Sequence, residues 1–259
     1  MIPASDITAW GVTRPWPSRA AVEQDLLLAR LIVELYTHPY LRDELVFRGG
    51  TCLHQVHLST PLRCGEDLDF VRRTHLGIGL VFDALRDVAR VVGLDVRGTE
   101  VGEHPKMRLR AAPEDGGPPL RIKIEINTHE TSPAHALVRM PFGVDTAWFC
   151  GDAEVLTFSS AELAATKLRA LFQRKKGRDL FDLWLVLTRL QTPPAAILSG
   201  FEPYRPQGYT SSRAIDNLRG KQHDPAFRRD LDLLVASQPV TYSIEEAADL
   251  VIDSLLSRV

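Results

Sequence analysis

The chain has 259 residues, 44% of them hydrophobic and 25% charged, with a formal net charge of −2 at pH 7. That length buries a sizeable core as one large or two modest domains. The charge balance excludes a polycationic nucleic-acid coat, so any RNA contact must come from a local basic patch.

The cysteines, Cys52, Cys64 and Cys150, have no paired metal-ligand spacing and read as reduced cytosolic thiols rather than a disulfide framework. The N-terminus lacks a basic-then-apolar signal pattern. The most apolar stretch, Leu26 to Tyr36, is broken by Arg30 and Glu34 and falls far short of a membrane span. The expectation is a cytoplasmic protein with no membrane partner.

Residues 1 to 17, with three prolines and two tryptophans, read as an irregular arm. Ser18 is an N-cap for a helix to about Tyr36, with Val22, Leu26, Ala29, Ile32 and Leu35 on one face. Val46-Phe47 ends a buried strand. Gly49-Gly50 makes a turn where backbone can approach a ligand, and Thr51 is placed to cap a short helix whose free N–H groups suit an anion. Asp67-Leu68-Asp69 sits in a second strand. Residues two apart on a strand share a face, so both carboxylates point one way while Leu68 and Phe70 point the other. Paired carboxylates repel unless a cation lies between them, and such hard oxygen ligands suit Mg²⁺ or Mn²⁺ that also holds substrate phosphates.

Gly77 to Val92 has helical periodicity and stops at Gly93. Alternating segments follow at Leu94 to Val101 and Lys106 to Ala111, then a loop at Pro113 to Pro119. Leu120 to Asn127 is the cleanest strand, with Ile122, Ile124 and Ile126 buried and Arg121, Lys123, Glu125 and Asn127 opposite. Glu125 is either a third metal carboxylate beside Asp67 and Asp69 or part of a solvated face paired with Lys123 or Arg121. Residues 128 to 156 carry no clear pattern, and His129 and His135 read as surface or packing residues.

Ser159-x-x-Glu162 is a capping box opening a helix to about Gln173, with Leu163, Lys167, Ala170 and Leu171 on one stripe. The basic run Arg174-Lys175-Lys176-Gly177-Arg178 follows, with Gly177 as a helix stop. It reads as a solvated helix end or a phosphate contact. Asp179 N-caps the next helix, Leu180 to Leu190, with Asp182 in its first turn. Pro193-Pro194 and Gly200 to Tyr209 are connections. Ser212 to Leu218, Pro225 to Val235 (capped by Asp224) and Ile244 to Leu256 (opened by a Ser243-x-x-Glu246 box) complete a helical lobe.

The Gly-Gly-Thr turn followed by an Asp-x-Asp strand resembles the signature of the polymerase-β-like nucleotidyltransferases. With Arg63 and Glu66-Asp67-Leu68-Asp69-Phe70 it is similar to the AbiEii/AbiGii toxin family, which includes the MenT toxins. The run from Glu162 to Leu171 and on through Arg178-Asp-Leu-Phe-Asp-Leu-Trp184 resembles that family's second signature. One departure is Gly65, where the family often has a serine two residues after the arginine; no hydroxyl role carries over there.

The resemblance implies an α/β (α+β) fold: a mixed sheet with covering helices over residues 1–158, then a helical lobe at 159–259 that completes the site. It implies an NTP- and Mg²⁺-dependent nucleotidyltransferase with Asp67 and Asp69 as metal ligands and Gly49, Gly50 and Thr51 seating phosphates. It also implies that Lys167 contacts the triphosphate and that Asp182 belongs to the active site; beside them, the charge of Arg174 and Arg178 suits nucleotide phosphates or an RNA backbone. It further implies an RNA acceptor, the tRNA 3′ end, whose modification blocks aminoacylation and growth, and a co-encoded antitoxin. The alternatives are a small-molecule or protein nucleotidyltransferase and a binding module that has lost the chemistry. The presence of Asp67, Asp69, Lys167 and Asp182 argues against the last.

Overall fold

The structure is a computed structural model, and it describes residues 1–235 and 241–259. Its described residues divide into two compact units. The first comprises Met1–Thr131 and Val138–Thr157; the second comprises Ser132–Leu137, Phe158–Val235 and the described C-terminal residues.

The first unit carries helices α1 (Ala4–Thr13), α2 (Arg19–Thr37), α3 (Leu41–Glu44), α4 (Gly49–Cys52) and α5 (Gly79–Val92). Its strands are β1 (Leu45–Arg48), β2 (Leu68–Arg72), β3 (Asp95–Glu100), β4 (Lys106–Ala111), β5 (Leu120–Asn127), β6 (Val138–Asp145) and β7 (Cys150–Thr157). They form one mixed sheet in the order β3-β4-β5-β2-β1-β7-β6. β2 runs antiparallel to β1 and parallel to β5, which places the Asp-x-Asp strand in the middle of the sheet.

Helix α2 is capped as its sequence predicts, with Ser18 Oγ accepting from the Ala21 N–H, and it buries Leu26, Leu28, Ile32 and Leu35 against the sheet. Helix α5 ends on Gly93 at φ 82°, the left-handed conformation that favours glycine. Tyr36 donates its hydroxyl to the carbonyls of Leu45 (3.0 Å) and Leu156 (2.9 Å), tying α2 to the ends of β1 and β7.

Residues 1 to 17 are not the irregular arm expected. Ala4–Thr13 is helical, because the Trp10 indole N–H reaches buried Asp25 on α2 at 2.9 Å and Asp6 accepts from the Trp148 N–H at 2.8 Å. The stretch 128–156 contributes the β6–β7 hairpin, closed by Thr146, with Arg30 lying over the rings of Trp148 and Phe149. Pro141 and Gly143 obscured the alternation, yet β6 is an edge strand, where proline is tolerated.

The second unit is helical: α6 (Ser160–Gln173), α7 (Gly177–Thr188), α8 (Pro194–Phe201), α9 (Ser211–Gln222), α10 (Pro225–Arg229) and α11 (Ile244–Ser254). Helix α8 replaces part of an expected connection; Pro194 sits at its first positions, where a missing N–H costs nothing. Helix α10 keeps its Asp224 cap but ends at Arg229 rather than Val235.

Two local expectations change here. Gly177 does not stop a helix; it opens α7, and a Cβ there would run into the Phe227 carbonyl of α10. Asp179 is therefore inside the first turn instead of capping it. At α6, Ser159 Oγ accepts from the Glu162 N–H as a cap should. The buried Glu162 carboxylate instead accepts from the N–H groups of Ala134 and His135, both at 2.9 Å, and from the Tyr204 hydroxyl at 2.6 Å.

Candidate active site

In the sheet unit, the turn after β1 and the start of β2 are built against each other. Arg48 stands opposite Asp69 in the β1–β2 register. The next residue, Gly49, has φ 82°, and Asp69 Oδ2 lies where a Cβ on Gly49 would go. Glycine is thus required twice, for its backbone conformation and for the carboxylate's approach. Gly50 gives up its Cβ space to the guanidinium of buried Arg63.

The connection carrying Arg63 is pinned by buried His54, whose Nδ1 accepts from the N–H groups of Leu62 (3.2 Å) and Arg63 (3.3 Å). Thr51 lies within α4 rather than capping it, because the helix already begins at Gly49. Its hydroxyl donates to the Asp67 carbonyl at 2.6 Å, so it positions the first aspartate of the pair. Gly65 packs against that threonine; a Cβ there would stand 2.6 Å from Thr51 Cγ2 and 2.7 Å from Thr51 Oγ1.

Asp67 and Asp69 are both part-exposed, while Leu68 and Phe70 between and beyond them are buried. Parallel pairing of β2 with β5 sets Asp69 opposite Glu125. The Lys123 ammonium lies 3.1 Å from Asp67 Oδ2 and 3.2 Å from Glu125 Oε2, and Lys106 lies 3.5 Å from the same Glu125 oxygen. Burial pushes the Glu125 carboxyl up, but Lys123 and Lys106 more than offset this and hold it below its usual range. Glu125 is thus ion-paired to Lys123, as one of the two alternatives expected, and its strand position is opposite Asp69.

The first of the Asp-x-Asp carboxylates already holds a cation, the Lys123 ammonium on Asp67, and Asp69 Oδ2 lies against the Gly49 backbone where a Cβ would otherwise stand. Two hard oxygen donors of this kind suit Mg²⁺ or Mn²⁺. Among the described residues no group of three or more His, Cys, Asp and Glu side chains is placed to hold a metal ion, so no third such side chain joins Asp67 and Asp69.

In the helical unit, Lys167 on α6 and Asp182 on α7 are both buried and lie 2.7 Å apart. Asp179, also fully buried, is 3.2 Å from the same ammonium and accepts from Arg174 Nε (2.7 Å) and Nη2 (2.8 Å). Burial pushes the Asp179 carboxyl up, but Lys167 and Arg174 overcome it and hold the group below its usual range.

The rest of the basic run is also ion-paired. Lys175 meets Asp224 at 3.1 Å, and Lys176 and Arg178 meet Asp230 at 3.3 and 3.0 Å. The sequence missed Lys106, the role of His54 and Asp230 as a partner. Alternation places Lys123 on the aspartates' face, but the long-range register that delivers Lys106 leaves no local signal.

A family model described as "Nucleotidyl transferase AbiEii toxin, Type IV TA system" matches residues 30–250. No curated protein matches the chain. Among solved structures, JHP933 from Helicobacter pylori is similar at 17% identity and TM-score 0.54, covering 92% of this chain and 90% of its own. The MenT4 nucleotidyltransferase toxin from Mycobacterium tuberculosis is similar at 18% identity and TM-score 0.53, over 96% of this chain and 99% of its own. At these identities the likeness is one of fold.

Proposed function

Because the chain belongs to the AbiEii nucleotidyltransferase toxin family of type IV toxin–antitoxin systems, we propose that it moves a nucleoside monophosphate from an NTP to an RNA hydroxyl. The acceptor in this reading is the tRNA 3′ end, and the consequence is a block of aminoacylation and growth. A co-encoded antitoxin limits that damage.

The observation that carries the reading is the seating of Asp69 in the space of the missing Gly49 Cβ, with Thr51 holding the backbone of Asp67. That arrangement fixes two carboxylates and an open backbone turn together, as phosphoryl transfer needs when positioning and electrostatics do most of the work.

Asp67 and Asp69 would hold Mg²⁺ or Mn²⁺, which would offset negative charge on the triphosphate. The Gly49-Gly50-Thr51 turn seats the phosphates in this reading, with the Asp69 carboxylate and the Arg63 guanidinium packed against its two glycines. Lys167 is the cation the family resemblance assigns to the triphosphate, and Asp182 and Asp179 orient its ammonium. Arg174 and Arg178 are further nucleotide contacts in this reading. Glu125, beside Asp69, supports the metal or takes the proton of the attacking hydroxyl. The acceptor oxygen bonds to the α-phosphorus, the α–β anhydride bond breaks and pyrophosphate leaves. The proton lost by the hydroxyl passes to a carboxylate or water.

The test is incubation of the purified protein with each radiolabelled NTP, Mg²⁺ and total bacterial RNA, followed by sequencing of labelled 3′ ends. Label on tRNA ends, absent with folded Asp69→Ala protein, is expected. Equal labelling by Asp69→Ala, or label found only on protein or small molecules, would overturn the assignment.

A further inference from the structure

We propose that the solvent face of β4 and β5 receives the sugar–phosphate backbone of the RNA acceptor, an inference that rests on the nucleotidyltransferase reading above. Along β4, Met107 and Leu109 are buried, so Lys106, Arg108 and Arg110 share the other face. Along β5, Ile122 and Ile124 are buried, so Arg121 and Lys123 share that same outer face with Glu125. The antiparallel register sets Arg110 opposite Arg121 and Arg108 opposite Lys123.

Like charges directly opposite one another on adjacent strands destabilise a sheet, and an ordinary soluble surface intersperses the two signs. This chain is net acidic, yet five cations crowd two strands. Charged residues often guard a sheet edge against aggregation, but β4 and β5 are interior strands, between β3 and β2. Edge protection therefore does not explain them.

The available acids take only part of the row. Glu125 and Asp67 hold Lys123, Glu125 also holds Lys106, and Glu100 holds Arg108. Arg110 and Arg121 have no ion-pair partner among the described residues, and Arg121 is exposed. Two planar guanidinium groups side by side suit successive phosphates, which position a nucleic acid without reading its sequence.

The row also points somewhere. It runs along β5 from Arg121 through Lys123 to Glu125, which pairs with Asp69. Arg121 and Glu125 are four residue steps apart on the strand, about 13 Å at the usual rise. An RNA held at Arg110 and Arg121 is thus anchored on the face that carries the Asp-x-Asp carboxylates.

The experiment is fluorescence anisotropy of labelled, deacylated total tRNA in EDTA without NTP, so that no transfer is needed for the readout. The double variant Arg110→Gln/Arg121→Gln should bind at least about 10-fold more weakly, with a log–log salt slope shallower by about 1 to 2. Arg110→Lys/Arg121→Lys should stay within about 3-fold of wild type, since charge carries most of phosphate binding. Arg86→Gln/Arg90→Gln on α5 removes the same charge from side chains paired to Asp83 and Asp87, and should also stay within about 3-fold. Wild-type binding by the folded Arg110/Arg121 glutamine variant, an equal loss in both glutamine variants, or no tRNA binding by wild type would each overturn the proposal. Metal-dependent labelling of RNA, assayed separately, tells failure of this surface apart from failure of the enzymatic reading.

Discussion

At Lys167, two buried carboxylates share one ammonium. The resemblance put Asp182 and Lys167 in one implied site, and the structure sets them 2.7 Å apart. It cast Asp179 as an exchangeable cap, and there the structure differs. Asp179 is buried, accepts a two-pronged bond from Arg174 and touches Lys167, because the helix starts two residues earlier at Gly177. Nothing local announces that start; it depends on the Phe227 carbonyl packing against a glycine far away in sequence. The expected behaviour of the two aspartates follows from this. Asp179→Asn removes the negative charge from two cations and should cost roughly 3 kcal/mol, the scale of breaking a buried ion pair. Asp182→Asn leaves Asp179 beside Lys167, so the fold should hold while transfer falls by at least roughly 100-fold, if Asp182 aims the ammonium. Urea unfolding and single-turnover transfer on both variants check this. A stable, fully active Asp179→Asn would show that the network is dispensable.

Among the elements, those with strong internal period were legible from the residues alone. Helices α2 and α5 and strands β4 and β5 lie within two residues of where alternation and caps put them. Helix α1 and the β6–β7 hairpin were not, since they are held by distant partners: Asp25 for Trp10, and Arg30 for Trp148 and Phe149. The Gly-Gly-Thr turn is an intermediate case. Its presence and strand context were readable, but not that Thr51 serves the Asp67 carbonyl or that Gly65 exists to make room for Thr51. The fit predicts a coupling. Gly65→Ala forces a methyl against Thr51 and should destabilise by about 1–3 kcal/mol, as overpacking does. In a Thr51→Ala background the offending Cγ2 and Oγ1 are gone, and most of that cost should disappear. A double-mutant cycle by urea unfolding measures the difference. Additive effects would mean that the turn adjusts without using Thr51.

For the molecule as a whole, stability should depend on pH through a carboxylate that burial works against. Asp25 is fully buried where α1, α2 and the turn after α4 meet. Burial pushes its carboxyl from 3.8 up to about 6, although Trp10, Arg14, Trp16 and Gln55 pull it back. The Trp10 indole and the Gln55 amide donate to it at 2.9 and 2.6 Å, and Arg14 lies 3.4 Å away. The sign follows from which state holds the proton. Between its unfolded and folded values, the native protein binds more protons than the unfolded chain, so stability falls as pH rises through that window and levels off above it. A shift of about 2 units corresponds to roughly 3 kcal/mol in total, of which roughly 1 kcal/mol is lost between about pH 5 and pH 7. Groups held low by cations, Asp179 and Glu125, act in the opposite sense, and their contribution disappears only at more acidic pH. In the range from about pH 5 to pH 7 the Asp25 contribution should therefore be separable. Asp25→Asn cannot ionise and should flatten the wild-type decline there, whatever its effect on absolute stability. Chemical unfolding at half-unit steps across that range gives the two profiles. If they run parallel, the slope comes from other groups, and the Arg14 and Trp10 contacts hold Asp25 ionised throughout.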